Sequence, residues 1–411
     1  MKLFVGLDVS SFDIKACFLN GEGDQLNSFT VSNDLPGATQ LRDEILKTTQ
    51  NQSVSEMKIG LESTSVYSFH PSMFLHNDES LRALGGQVLV MNPKQIANFK
   101  KSYSDMDKTD EIDAFVIADY LRFGRLPMSI VKEEQYVALQ QLTRARFQIV
   151  RQTTQEKQRF LQYLSYKCNT FTEEVESSVF GKAMMDLFLE SYSLDELSSM
   201  PLEELADYLR TKGKNRFPDP EYVAESIQKA VRSSYRLDKV VEDSIDTMLA
   251  TSITLIRTFE KQIKELDKSI ERIMKGVPQT LQTVPGIGPV FAAGIIAEIG
   301  QIERFENEAK VAKYAGLYWR KHQSGRFTAD DTTLSRNGNQ YLRYYLVEAA
   351  NSIRRQIPEY SDYFAKKYQE VPKHQHKRAL VLTARKFVRL VDALLRKNQI
   401  YTPKRSVINE A

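Results

Sequence analysis

Three apolar runs joined by very short polar links open this chain, and they restrict its fold more than anything that follows. Leu3–Ser10 and Asp13–Asn20 predict strands, and the Gly21-Glu22-Gly23-Asp24 turn leads into a third near Gln25–Val31. Links this short connect neighbouring strands as hairpins, so the three form an antiparallel meander. A helix is expected near Ala38–Lys47, a strand at Met57–Glu62, a helix about Val66–Leu75 and a buried-type strand at Gln87–Asn92. A further helix starts at Thr109 and runs through Phe115, Ile117, Ala118 and Leu121.

Three antiparallel strands followed by alternating helix and strand is the order of an α/β ribonuclease-H-like fold, expected over residues 1–130. Within it, four carboxylates stand where such a fold brings side chains to a common point. Asp8 interrupts the apolar first strand, and Glu62 closes the strand Ile59-Gly60-Leu61-Glu62. Asp110 and Asp113 open the last helix at i, i+3 spacing and so share one face. Oxygen donors without Cys or His companions suit a hard cation such as Mg²⁺, and hard cations at acidic sites commonly serve phosphate chemistry. First-turn acids also suit a helix dipole, with Asp107 or Thr109 as cap. A strand aspartate has no such ready excuse, because burying it unpaired is costly. Asp105, Asp107 and Glu111 are competing ligands.

Residues 131–275 lose strand character. Leu139, Leu142, Ile149 and Val150 mark one long helix. In a second, Leu249, Ile256, Ile263 and Ile270 recur at one heptad position and Ile245, Phe259, Leu266 and Ile273 at the other, with Ser252 interrupting. Such heptads argue for a coiled coil, within the chain or between chains, and for an oligomerisation region. Breaks at Pro201, Gly213, Pro218 and Pro220 divide a helical stretch between the two. Residues 276–411 are expected to be an all-α domain.

Two constellations lie there. Val284-Pro285-Gly286-Ile287-Gly288-Pro289-Val290, before an apolar helix, has the form of a helix-hairpin-helix. Gly286 and Gly288 permit a tight turn whose amides can face a backbone phosphate without reading sequence. A plain helix-helix turn would need the same glycines. Further on, Ser324 precedes Gly325 in a loop flanked by Arg320, Lys321 and Arg326, with Arg336 and Arg343 beyond. A serine among cations can attack a phosphate, although a loop serine is more often a turn residue. Arg336 and Arg343 read as phosphate binders.

Charge is unevenly spread. From Ala309 to Ala411 there are 21 Lys/Arg against 8 Asp/Glu in a chain of net charge +3, so the residues before it are net acidic. The basic end suits a nucleic-acid backbone. Two cysteines, Cys17 and Cys168, exclude a disulfide framework or a thiolate zinc site. No apolar run approaches a membrane span, and the start MKLFVGLDVS does not read as a signal peptide. A cytoplasmic, bacterial-type protein, nucleoid-associated when active, is expected.

These stretches together resemble the insertion-sequence-110 family of transposases, the DEDD recombinases that include the pilin-gene invertase. The resemblance rests on Gly6-Leu7-Asp8, Leu61-Glu62-Ser63-Thr64, Asn92-Pro93 and Lys108-Thr109-Asp110-Glu111-Ile112-Asp113-Ala114. Pro285-Gly286-Ile287-Gly288, Ala315-Gly316-Leu317, Ser324-Gly325 and Ser335…Gly338…Leu342-Arg343 complete it. The chain departs from the family at Ser63-Thr64, where Ala-Thr-Gly more often follows the glutamate, and in its long middle segment. The resemblance implies a RuvC-like Mg²⁺ site, of one or two ions, at Asp8, Glu62, Asp110 and Asp113. It implies Ser324 as the nucleophile of a transient phosphoserine link to DNA. It also implies a homo-oligomer, dimer to tetramer, with a structured guide (bridge) RNA that pairs with target and donor DNA.

Other functions fit parts of the pattern. A junction nuclease would use the same acids with water as nucleophile. A sugar-kinase-like ATPase would need a second strand-Asp-Gly half, and none follows residue 130. An architectural DNA binder would leave the acids without a task.

Overall fold

The computed structural model describes the whole chain except residues 52, 64–65, 104–109, 125–132, 320–322, 325–326, 329–333, 336 and 404–411. For 110, 111, 323, 324, 327 and 328 it describes the backbone alone. The chain divides into two compact units, one of residues 1–134 with 301–306, the other of 135–300 with 307–411.

In the first unit, β1 (Lys2–Val9), β2 (Asp13–Leu19) and β3 (Gln25–Ser32) form the expected meander. After α1 (Leu35–Asn51), β4 (Glu56–Glu62) returns parallel to β1, because a chain that crosses over through a helix re-enters in the same direction. Helices α2 (Phe69–Asn77) and α3 (Glu79–Ala83) lead to β5 (Gln87–Met91), parallel to β4. The sheet order is β3-β2-β1-β4-β5, a mixed five-stranded sheet consistent with the ribonuclease-H-like expectation. Two helices escaped the sequence reading: α3, and α4 (Pro93–Lys100), which the Asn92 cap and Pro93 initiate directly from β5. The last helix, α5, spans Asp110–Phe123; Thr109, its expected start, lies outside the described residues.

Both sheet faces are covered, which is why β1 is almost wholly buried. Leu3, Val5, Leu7 and Val9 face a core shared with Leu41 and Ile45 of α1. Phe4 faces the opposite core, with Ile96 of α4 and Ala114, Ile117, Ala118 and Leu121 of α5. Gly6 lets α5 lie directly on the strand: a Cβ there would stand 2.2 Å from the Ala114 carbonyl oxygen and 2.4 Å from the Ala118 nitrogen.

In the second unit, α6 (Glu134–Lys167) and α12 (Lys239–Met274) are the two long helices. They pair within the chain and run antiparallel. Arg146 meets Asp267, Lys157 meets Glu260 at 2.7 Å, and buried Lys167 meets Asp246. The heptad's polar interruption, Ser252, donates to the Glu156 carboxylate at 2.8 Å. Leu249, Ile256 and Ile270 are buried, whereas Phe259, Ile263 and Leu266 are half-buried. Between the long helices lie α7 (Phe171–Glu174), α8 (Lys182–Leu189), α9 (Leu194–Ser199), α10 (Leu202–Lys212) and α11 (Pro220–Ser233). They pack on one end of the pair, where α6 finishes and α12 begins, through Phe160, Phe171, Phe188, Leu205 and Ile227.

The C-terminal region is helical: α13 (Pro289–Ile299), α14 (Glu308–Tyr314), α15 (Gln340–Ile353), α16 (Pro358–Gln369) and α17 (Gln375–Lys397). It is not all-α, as the sequence suggested. Tyr318–Trp319 pairs with Leu334–Ser335, and Gln323–Ser324 pairs with Phe327–Thr328, both antiparallel. Segments of two residues carry too little periodicity to be read as strands. Among the described residues no helix is long and apolar enough to cross a membrane.

Candidate metal centre and nucleic-acid interface

Asp8 and Glu62 are neighbours because β1 and β4 run parallel and in register. Gly6 pairs with Gly60 and Leu7 with Leu61, so the next residues, Asp8 and Glu62, project from the same face at the carboxyl ends of adjacent strands. Carboxyl ends of parallel strands are where open α/β sheets place their ligands. Across β2, Lys15 stands opposite Asp8 on that face.

Helix α5 brings the third acid. Ala114 and Ala118 rest on Gly6, which sets Asp113 at the helix end nearest Asp8 and Glu62. Glu62 senses the other two. Glu62 holds its proton more tightly than an ordinary glutamate, first because it is half-buried, then because Asp8 and Asp113 repel its charge. The Lys100 ammonium opposes this shift and donates to the Asp113 carboxylate. The side chain of Asp110 lies outside the described atoms, as do Asp105, Asp107, Thr109 and the side chain of Glu111.

The donor set fits a hard cation. It is all oxygen, it is half-buried, and two of its members, Asp8 and Asp113, raise the proton affinity of the third, Glu62. Among the described residues, no three acidic, histidine or cysteine side chains are close enough to hold an ion as they stand. Asp113 is engaged with Lys100 instead.

Lys100 is the residue that sequence reasoning missed. It ends α4, and its place beside Asp113 follows from how α4 packs on α5. Ile96 is buried, and the Phe99 ring lies 5.1 Å from Tyr120 and 5.7 Å from Phe123. The one available signal was the Asn92-Pro93 helix start, which places a lysine two turns beyond the end of the edge strand β5.

In the second unit, the glycine turn is built as expected. Gly286 has φ +90°, a left-handed conformation that suits glycine, and a Cβ there would stand 3.1 Å from the Ser352 hydroxyl and 3.3 Å from the Ile353 nitrogen. Gly288 is the N-cap of α13, with no side-chain cap and open space where a Cβ would stand. The arm before it is only a 3-10 turn, Leu281–Thr283, because α12 ends at Met274. At the far end of α13, buried Glu298 accepts from Arg144 at 2.7 and 2.9 Å, from Gln140 at 3.1 Å and from Asn339 at 2.7 Å. That network ties α6, α13 and α15 together.

The Ser324 backbone pairs antiparallel with Phe327. Arg320, Lys321, Arg326 and Arg336 lie outside the described residues. Arg343 is half-exposed and donates to the Ala315 carbonyl at 3.0 Å, so part of its guanidinium serves the fold.

The sheet order, with acids at the carboxyl ends of β1 and β4, is consistent with a ribonuclease-H-like domain, and comparison with known proteins supplies the family. Residues 5–168 match a DEDD transposase family model, and residues 278–365 match the model of the transposase IS116/IS110/IS902 family. The chain is a transposase of the IS110/IS116 insertion-sequence family. It is 23% identical to an uncharacterized 44.8 kDa protein of insertion element IS116 from Streptomyces clavuligerus, over 100% of this chain and 98% of that protein. It is 21% identical to the pilin gene-inverting protein of Moraxella lacunata, over 97% of each chain. It is 26% identical to the transposase for insertion sequence element IS1111A of Coxiella burnetii, over 42% of this chain and 46% of that protein.

Proposed function

We propose that this transposase is a guide-RNA-directed DNA recombinase whose RuvC-like acids and serine hairpin act on one scissile phosphate. The observation that carries the reading is the electrostatic coupling of Asp8, Glu62 and Asp113 at the ends of two parallel strands. Asp8, Glu62, Asp110 and Asp113 would hold one or two Mg²⁺. Bound there, the ion offsets charge on the phosphoryl oxygens and favours the alkoxide of an attacking hydroxyl. The Ser324 Oγ would attack phosphorus. An Oγ–P bond forms, the bond to the leaving deoxyribose oxygen breaks, that oxygen takes up a proton and the serine proton passes to solvent. Reversal with another strand's hydroxyl rejoins the DNA without external energy, since the phosphodiester is conserved.

The chain's remaining parts take roles within this reading. Residues 1–130 form the acidic domain, 131–275 the helical oligomerisation region and 276–411 the serine domain with its basic end. Gly286, Gly288, Arg320, Lys321, Arg326, Arg336 and Arg343 grip the nucleic-acid backbone. A second apolar stripe on α12 supports a dimer or tetramer: Val241, Met248 and Leu255 recur every seven residues and are 47%, 37% and 37% exposed. The RNA reading rests on the family resemblance and the basic end. A structured non-coding stretch beside the gene, bounded by a short repeated core, would support it.

The test is adduct trapping on a DNA substrate. Wild type should yield a protein–DNA adduct, and Ser324→Ala should abolish it while RNA binding persists. An undiminished adduct removes Ser324 from the role. Free ends without any trapped protein would instead indicate a water-using junction nuclease.

A further inference from the structure

We infer that Lys100 is a built-in counter-ion of the acidic site, which divalent metal must displace and which then serves the DNA phosphate. The inference rests on the proposed metal site and adds a residue to it.

The geometry is specific. Lys100 donates to the Asp113 carboxylate, and both side chains are only partly exposed, at 25% and 31%. The ammonium therefore occupies an oxygen that the metal site needs. Its charge also reaches Glu62, opposing the repulsion from Asp8 and Asp113. The lysine is brought there by a capped and packed helix. Asn92 caps α4 by accepting from the Lys94 amide at 2.9 Å, Pro93 sets its first turn, and Ile96 and Phe99 anchor it on α5. A cluster of carboxylates repels itself when metal is absent, and a lysine on a flexible stem is suited to relieve it reversibly. An arginine would fork across the carboxylate and resist displacement. Once the carboxylates turn to a divalent ion, like charges repel the ammonium. The nearest chemistry that attracts it is the anionic phosphodiester the site is built to receive.

The test uses the full-length protein and Mn²⁺ alone, with the affinity of Mn²⁺ read by calorimetry. Removing a unit charge a few ångströms from the ion should tighten binding by about tenfold in Lys100→Met and in Lys100→Gln. Lys100→Arg should bind Mn²⁺ no more tightly than wild type. The second arm measures affinity for a duplex DNA oligonucleotide with and without Ca²⁺, which fills the site without supporting cleavage. Wild type should gain affinity with Ca²⁺, and Lys100→Met should lose most of that gain. A purely structural lysine would not strengthen one affinity while weakening the other. Equal or weaker Mn²⁺ binding in both neutral variants overturns the counter-ion role, and an undiminished Ca²⁺ gain overturns the phosphate role. Absence of Mn²⁺ binding in wild type, or its persistence in Asp8→Asn, overturns the metal site itself and the inference with it.

Discussion

Gly6→Ala tests the contact on which the acidic site depends. The added Cβ would meet the Ala114 carbonyl oxygen at 2.2 Å and the Ala118 nitrogen at 2.4 Å, both backbone atoms of α5. Side chains can rotate away from such a clash, but helix backbone cannot. To recover an ordinary carbon contact the helix must retreat by roughly 1 Å, against the packing of Ala114, Ile117, Ala118 and Leu121. Overpacking of this kind costs about 1–3 kcal/mol of stability. The functional cost should be larger. Helix α5 carries Asp113 toward Asp8 and Glu62, and if these acids are catalytic as proposed, a displacement of about 1 Å lowers rates by roughly 100-fold. Urea unfolding followed by circular dichroism gives the first number, and metal-dependent DNA strand cleavage gives the second. Gly60→Ala is the matched comparison. Its Cβ would meet the Leu121 and Met91 side-chain ends at 2.7–2.8 Å, which can move, so it should be milder on both measures. Wild-type stability together with wild-type cleavage in Gly6→Ala would refute the argument that this helix–strand contact positions the acids.

Glu62 predicts a pH dependence in the metal-free protein. Its folded pKa lies above that of the unfolded chain, so its contribution to stability is fully present below the unfolded value and is lost as pH rises through the folded one. Glu62→Gln should therefore gain on wild type as pH rises through that window, measured by urea unfolding in EDTA. A difference that stays constant with pH would count against the buried, crowded carboxylate. Glu298→Ala should destabilise by about 3–5 kcal/mol, because it strands the half-buried Arg144 charge and the Gln140 and Asn339 amides. A loss under 1 kcal/mol in urea unfolding would show that the network is dispensable.

The sequence carried the strand order of the first unit and the positions of Asp8 and Glu62. Both follow from local rules: short links make hairpins, and an acid at the end of an apolar run shows in the alternation. It also carried the heptads of α12, but not their partner. Heptad spacing reports that a face is apolar and says nothing about which helix covers it. The ion pairs of Arg146, Lys157 and Lys167 decided that α6 covers it in antiparallel sense. The two short strand pairs around Trp319 and Ser324 were illegible because two residues hold no period.

Lys100 is the sharpest case of what only tertiary structure decides. Its role depends on the packing of Phe99 on Tyr120, and on Gly6 admitting α5 close enough for Asp113 to approach the strand ends. Tyr120 and Gly6, on which both depend, lie far from Lys100 in the chain. Sequence by itself determined which groups are acidic, where the strands begin and which family the chain resembles, because those depend on neighbours along the chain. Which acids sense one another, and which cation stands among them, depends on the approach of α4 and α5 to β1 and β4. Packing across the chain sets that approach.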